Sequence, residues 1–199
     1  PDEPHANIPP STYLWLFPDS TIAEGVSKQH IRWWGEDPDG VVKGYLLASA
    51  KSATLDSARA DTVAWTWTTG NDSLIAFPLR TKRDTFDVAV RSVDNTFLTA
   101  LPEQAVVRLS SPPYWDVNAD GVFDNGDVGL PSLAGAYDPK GSTLPMPILN
   151  QPPSVVFAQN PNDPTTVMAQ PETTFTAATF AWVGSDPDGD ETIAHYEIA

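Results

Sequence analysis

The chain has 199 residues, 41% of them hydrophobic, which is enough for one or two domains that each bury a core and too apolar for a disordered chain. Twenty-six Asp and Glu stand against 11 Lys and Arg, a formal charge of −15, and with no cluster of Lys and Arg to neutralise a duplex's phosphates this argues against a nucleic-acid partner. The absence of cysteine excludes disulfides and thiolate metal sites, and no apolar run approaches the roughly 20 residues that span a bilayer. The 20 prolines favour many short strands with rigid connections over long helices.

In chain order, residues 1–7 read as a tail. Tyr13, Trp15 and Phe17 share one face of a first strand, and Ile31 and Trp33 share a face of a second, closed by the turn Asp37-Pro38-Asp39-Gly40. Val41 to Ala50 forms a third strand. Thr62 to Thr69 forms a fourth, with Trp65 and Trp67 on one face. Gly70-Asn71-Asp72 turns the chain into Ser73 to Leu79. Phe86, Val88 and Val90 then alternate with Asp87, Ala89 and Arg91, and Ala105 to Leu109 is expected to supply the last strand. Seven short strands in about 100 residues suit a sandwich of the immunoglobulin type.

The chain also repeats itself. Asn7-Ile8-Pro9-Pro10-Ser11 recurs as Asn150-Gln151-Pro152-Pro153-Ser154, at an offset of 143. Ile31 to Gly40 recurs as Phe180 to Gly189 at an offset of 149, and Tyr45 pairs with Tyr196 at 151. The offset grows only within turns, as insertions in surface loops do. The expected organisation is therefore a sandwich over 8–110, a linker over 111–149 and a partial second sandwich over 150–199.

Trp33, Tyr45 and the run Thr85 to Asn95 resemble bacterial extracellular fibronectin type III domains, and the Trp-x-Gly-x-Asp-Pro-Asp-Gly segment is similar to repeats of that kind. The resemblance implies an all-β, immunoglobulin-like sandwich. It departs at Phe86, which stands near the family's corner tyrosine and lacks its hydroxyl. The second copy has no sequence for its later strands after Ile198-Ala199. A sandwich cut there leaves an apolar face and an unpaired edge. The expectation is a piece of a longer protein; the alternative is that a neighbouring subunit supplies the missing strands and builds a filament by strand addition.

Between the repeats lies Asp116-Val117-Asn118-Ala119-Asp120-Gly121-Val122-Phe123-Asp124-Asn125-Gly126-Asp127. Side-chain oxygens fall at positions 1, 3, 5, 9 and 12 of this loop, with glycine at 6. A hard cation wants six to eight oxygens, so the candidate ligands for Ca2+ are Asp116, Asn118, Asp120, the Val122 carbonyl, Asp124 and Asp127. Gly121 permits the sharp turn, and Phe123 can anchor the loop on apolar surface. The segment resembles the calcium loop of EF-hand and dockerin proteins, except that Asp127 replaces the usual glutamate and there is one loop where dockerins carry two. A short helical turn, Pro131 to Tyr137, is expected to follow, with Leu130 and Leu133 facing inward. The Asp37/Asp39 and Asp186/Asp188/Asp190 turns are weaker cation candidates, because Asp-Pro-Asp-Gly is good turn chemistry by itself.

His5, His30 and His195 have no zinc spacing, and there is no nucleophile elbow, phosphate loop or cysteine nucleophile. A non-enzymatic protein is expected. Its function would be that of a secreted or cell-surface structural and adhesive protein of tandem repeats, stiffened by calcium and bound to other protein subunits or cell-surface components, with a homopolymer among the possibilities. The alternative is an accessory or carbohydrate-binding module of a secreted hydrolase, with Trp65, Trp67 or Trp34 as stacking platforms.

Overall fold

The computed structural model describes residues 6–15, 25–51, 55, 63–79, 82–160, 163–167 and 181–197. It is an all-β molecule, with no α-helix among the described residues. The strands in chain order are β1 (Ser11–Trp15), β2 (Lys28–Glu36), β3 (Val42–Lys51), β4 (Trp65–Thr68), β5 (Asp72–Ala76), β6 (Asp84–Asp94), β7 (Val106–Arg108), β8 (Tyr114–Trp115), β9 (Val128–Gly129), β10 (Ser142–Ile148), β11 (Ser154–Asn160), β12 (Asp163–Val167) and β13 (Ala181–Ser185).

One sheet has the order β1-β2-β5 and a second the order β10-β6-β3-β4-β7-β8-β9. All their strand pairs are antiparallel. Period-two alternation turns Ile31, Trp33 and Ile75 of the first sheet toward Phe86, Val88, Val90, Met146 and Ile148 of the second, and these nine-tenths-buried side chains form one core with Phe77. The hydroxyl of Thr12 accepts from the Ser92 N–H at 2.8 Å, and Asp138 accepts from the Thr12 N–H at 2.8 Å, so polar bonds also join the layers.

The second sheet is buried on both faces. Its outer face carries Leu46, Ala48, Trp65, Trp67, Ala89 and Val93, and residues 95–137 fold over it with Phe97, Leu130, Leu133 and Ala136. The strand β6 therefore reads as a nearly continuous buried run from Val88 to Asp94. Pro131–Leu133 forms a short 3-10 turn in this cover, and both Leu130 and Leu133 are buried as expected.

Two expectations need correction. Residues 105–109 are not the last strand of the first unit: their strand β7 pairs with β4, and β8, β9 and β10 follow it in the same sheet, β10 at the edge beside β6. Residues 111–149 thus contribute three strands to the first unit's sheet and are not a free linker. Pro145 and Pro147 disguise β10; a proline fits a sheet only where its missing N–H points outward, as it can on an edge. Tyr13 and Trp15 share one face of β1 as expected; it is the solvent face, while Thr12 and Leu14 turn inward. Phe17 lies outside the described residues.

A third sheet has the order β12-β11-β13. Its register reproduces the first copy residue for residue. Ser154↔Ser185, Val155↔Gly184 and Phe157↔Trp182 correspond to Ser11↔Glu36, Thr12↔Gly35 and Leu14↔Trp33. Trp33 meets Tyr45 edge-on at 6.2 Å, and Trp182 meets Tyr196 at 6.1 Å. The repeat seen in the sequence is a structural repeat.

Candidate functional site

The 116–127 loop leaves β8 and returns at β9, so it springs from the outer edge of the first unit's second sheet. Asp116 is fixed at its root. Its N–H donates to Val106 O at 2.8 Å, and its side chain is wholly buried against Arg108, whose Nε donates to Asp116 Oδ2 at 2.8 Å. The same carboxylate accepts from the N–H groups of Asp120 at 3.2 Å and Gly121 at 2.9 Å. This curls the first half of the loop around one acidic group. Gly121 has φ +81 and Ala119 has φ 58, the left-handed backbone that so tight a curl requires.

The remaining candidate ligands close the loop on itself. Asn118 Nδ2 donates to Asp120 Oδ2 at 2.9 Å, and Asp120 Oδ1 accepts from Val122 N at 2.8 Å. Asp127 accepts from Val117 N at 2.9 Å and Asp124 N at 3.0 Å, while Asp124 Oδ1 accepts from Gly126 N at 2.7 Å. Phe123 meets Tyr114 edge-on at 5.0 Å, which anchors the tip. Residue types, order and loop curvature fit a calcium ion. Among the described residues, however, no three His, Asp or Glu side chains stand as a ready-made metal group. The oxygens of this loop point at amides and at Arg108, the cation that Asp116 already has. Arg108 was not anticipated, and only its place eight residues before Asp116 on the adjoining strand signalled it.

The two Asp-Pro-Asp-Gly turns differ in surroundings. Asp188 is 1% exposed, and its carboxylate accepts from Ser27 N and Gln151 N, each at 2.6 Å. Lys28 pairs with Glu191 alongside. Asp39, in the first copy, is exposed and accepts from Ile8 N at 3.0 Å. Beside it the Asp37 Oδ2 is buried with no hydrogen-bond partner. Burial, with Asp39 and Asp94 close by, lifts the Asp37 carboxyl above its ordinary value.

Trp65 and Trp67 lie in the core at 2% exposure, so neither is the stacking platform considered from the sequence. Trp34 is 43% exposed and stacks on Tyr13 with centroids 5.2 Å apart and planes 18° from parallel. Trp15, 50% exposed, stands on the same sheet face, opposite Arg32, which in turn lies opposite Asp72. Trp15, Arg32, Trp34, Asn71 and Asp72 line a cleft of about 350 Å³. His30 Nε2 lies 2.7 Å from Asp72 Oδ2, and His195 pairs with Glu197; His5 is outside the described residues.

No family model, curated protein or solved structure matches this chain.

Proposed function

We propose that the chain is an extracellular or cell-surface structural and adhesive protein of tandem immunoglobulin-like sandwiches of the fibronectin type III kind. Three strands (β1-β2-β5) against four (β10-β6-β3-β4), with the remaining strands and residues 95–137 as an elaboration, support that class. The observation that carries the reading is the joint. The buried Asp188 carboxylate of the second unit accepts backbone N–H bonds from Ser27 of the first unit and from Gln151 in the connection, so successive units are held in fixed orientation. A stiff joint suits a stalk or filament better than a freely hinged pair of binding modules. Calcium at Asp116, Asn118, Asp120, Val122, Asp124 and Asp127 would stiffen the cover of the first unit, not the joint between units. Val155, Val156 and Trp182 are exposed on the third sheet, and strand addition from another subunit would cover such surface. Nucleic acid has no place in this reading.

Thermal melts and limited proteolysis in calcium and in chelator test it. Calcium is expected to raise Tm and to protect residues 111–130 from cleavage, and identical behaviour in both conditions rejects the calcium part. Sedimentation velocity tests assembly: a single monomer species at all concentrations rejects the filament.

One observation favours a second reading, a carbohydrate-binding module. The exposed Tyr13–Trp34 stack and Trp15 sit beside Arg32, Asn71 and Asp72, an aromatic shelf with hydrogen-bonding groups at its rim. Retention on insoluble polysaccharide that disappears in Trp34→Ala would support it, and no retention on any of a panel of polysaccharides would remove it.

A further inference from the structure

The two Asp-Pro-Asp-Gly turns share their internal bonds. In the second copy Asp188 N donates to Asp186 Oδ1 at 2.8 Å and Gln151 N donates to Asp188 Oδ2 at 2.6 Å. In the first copy Asp39 N donates to Asp37 Oδ1 at 3.4 Å and Ile8 N donates to Asp39 Oδ2 at 3.0 Å. Ile8 and Gln151 are equivalent in the sequence repeat, so each turn uses one carboxylate oxygen to grip the strand that enters its own unit.

The other oxygen separates the copies. Asp188 Oδ1 accepts from Ser27 N of the preceding unit at 2.6 Å, while Ser27 Oγ donates to Asp188 O at 3.3 Å. The preceding unit presents Ser27 there because β10 ends alongside it: Gly25 N donates to Pro147 O at 2.8 Å and Leu149 N donates to Gly25 O at 3.2 Å. The Asp188 carboxylate thus bridges the Ser27 segment that leads into β2 and the Gln151 segment that leaves the first unit. Asp39 has the same backbone setting and lies in solvent.

We propose that the Asp37–Gly40 turn is a docking site for the Gly25–Lys28 end of another sandwich of this same repeat, received through a Ser27 N–H to Asp39 Oδ1 hydrogen bond. This rests on the tandem-repeat reading above and names the residues that would hold each further joint. Charge favours it, since the turn gathers Asp37 and Asp39 near Asp94 and the incoming end brings N–H groups and Lys28. The two joints differ in one respect. Val42 stands where the second copy has Glu191, so the exposed Lys28–Glu191 pair has no counterpart. Exposed pairs contribute little, so the joint survives without it.

The test is a chain in which residues 1–149 precede residues 7–199, so that Leu149-Asn7 reproduces the natural junction Leu149-Asn150. Amide hydrogen exchange then reads the added Ser27 and the natural Ser27, which faces Asp188, in one molecule. The added amide is expected to be protected within about tenfold of the natural one, and Asp39→Ala in the downstream copy should reduce that protection by about tenfold or more while the natural amide is unchanged. An added Ser27 that exchanges as an open amide overturns the proposal. Should Asp39→Ala unfold its unit, Ser27→Pro in the added copy removes the N–H and the hydroxyl of Ser27 and leaves the downstream turn untouched. It should let the added unit tumble independently by 15N relaxation, and continued joint tumbling overturns the proposal. Calcium-dependent melting of the same chain reports separately on the stiffening reading.

Discussion

Arg108 and Asp116 form a buried ion pair at the root of the 116–127 loop, Nε to Oδ2 at 2.8 Å, with side chains 14% and 0% exposed. The pair decides how the loop meets a cation, because Asp116 is the first expected ligand and already has a positive partner. Two backbone N–H groups share that carboxylate, so it is not stranded when Arg108 is removed. Arg108→Gln should cost about 2–4 kcal/mol, somewhat below the roughly 3–5 kcal/mol for breaking a buried pair from one side, because those N–H groups remain. Calcium would then take over neutralisation of Asp116. Melting curves should show a larger calcium-induced rise in Tm for Arg108→Gln than for wild type; an equal or smaller rise would mean that Arg108 and the ion do not compete for Asp116.

Asp37 gives a pH-dependent prediction. Its folded-state pKa is raised, chiefly by burial, with Asp39 and Asp94 adding repulsion. A carboxyl raised in this way stabilises the fold below its ordinary pKa and loses that contribution as pH rises through the folded value, so at neutral pH its ionised form costs stability. Asp37→Asn keeps the Oδ1 that accepts from Asp39 N and replaces the partnerless Oδ2 with a donor facing carboxylates. The substitution should stabilise by about 1 kcal/mol at pH 7, reduced by solvent at this partly exposed site, or a few degrees in Tm. The gain should shrink as pH is lowered toward the raised pKa. A gain that is independent of pH would assign it to packing instead.

Gly35 and Gly184 occupy equivalent places in β2 and β13, and neither tolerates a side chain. A Cβ on Gly35 would lie 2.8 Å from Ser92 Cβ and 3.1 Å from Val42 Cγ2, and one on Gly184 would lie 2.8 Å from Tyr196 Cε1. Gly35→Ala presses against Ser92, near the C-terminal end of β6, and should destabilise the first unit by about 1–3 kcal/mol in chemical denaturation. Gly184→Ala presses on the movable Tyr196 ring and should cost less, with its effect on hydrogen exchange confined to β11 and β13. Equal effects on both units would argue against independent packing of the two copies.

What the sequence made legible follows from local periodicity. Ile31 and Trp33, and Phe86, Val88 and Val90, alternate strictly and are buried. Asp37-Pro38-Asp39-Gly40 is turn chemistry, and the repeat carried the register of β11 against β13 with it. Three things were not fully legible. The strand β10 hides behind Pro145 and Pro147. The cover over Trp65 and Trp67 was legible only at Leu130 and Leu133; Phe97 and Ala136, which complete it, belong to no strand or periodic run. The aromatic alternation of Tyr13 and Trp15 names a shared face but not which side is wet, since both faces of an edge strand can carry rings. As for the candidate sites, spacing alone identified the 116–127 loop. The Asp188–Ser27 bond spans 161 residues, and only the repeat hinted at it.

Arg91 shows how firmly that cover is held. It is 8% exposed on the outer face of β6, with its guanidinium 5.1 Å from the Trp65 ring centroid and 5.4 Å from that of Tyr137. Its Nη1 donates to the carbonyls of Pro139 at 2.9 Å and Asp138 at 3.3 Å, which fixes the chain just before β10 enters the sheet. A buried cation needs such compensation, and burial lowers the Arg91 pKa. Arg91→Met keeps most of the packing but leaves two carbonyls without their donor, at an expected cost of about 2–3 kcal/mol. Arg91→Ala also opens a cavity between two rings and should cost about 3–5 kcal/mol. Native-state hydrogen exchange separates this role from general core packing: protection should fall first in 137–148 and leave the β1–β2 pairing untouched at low denaturant. Uniform loss of protection across both sheets would instead make Arg91 an ordinary member of a single cooperative core.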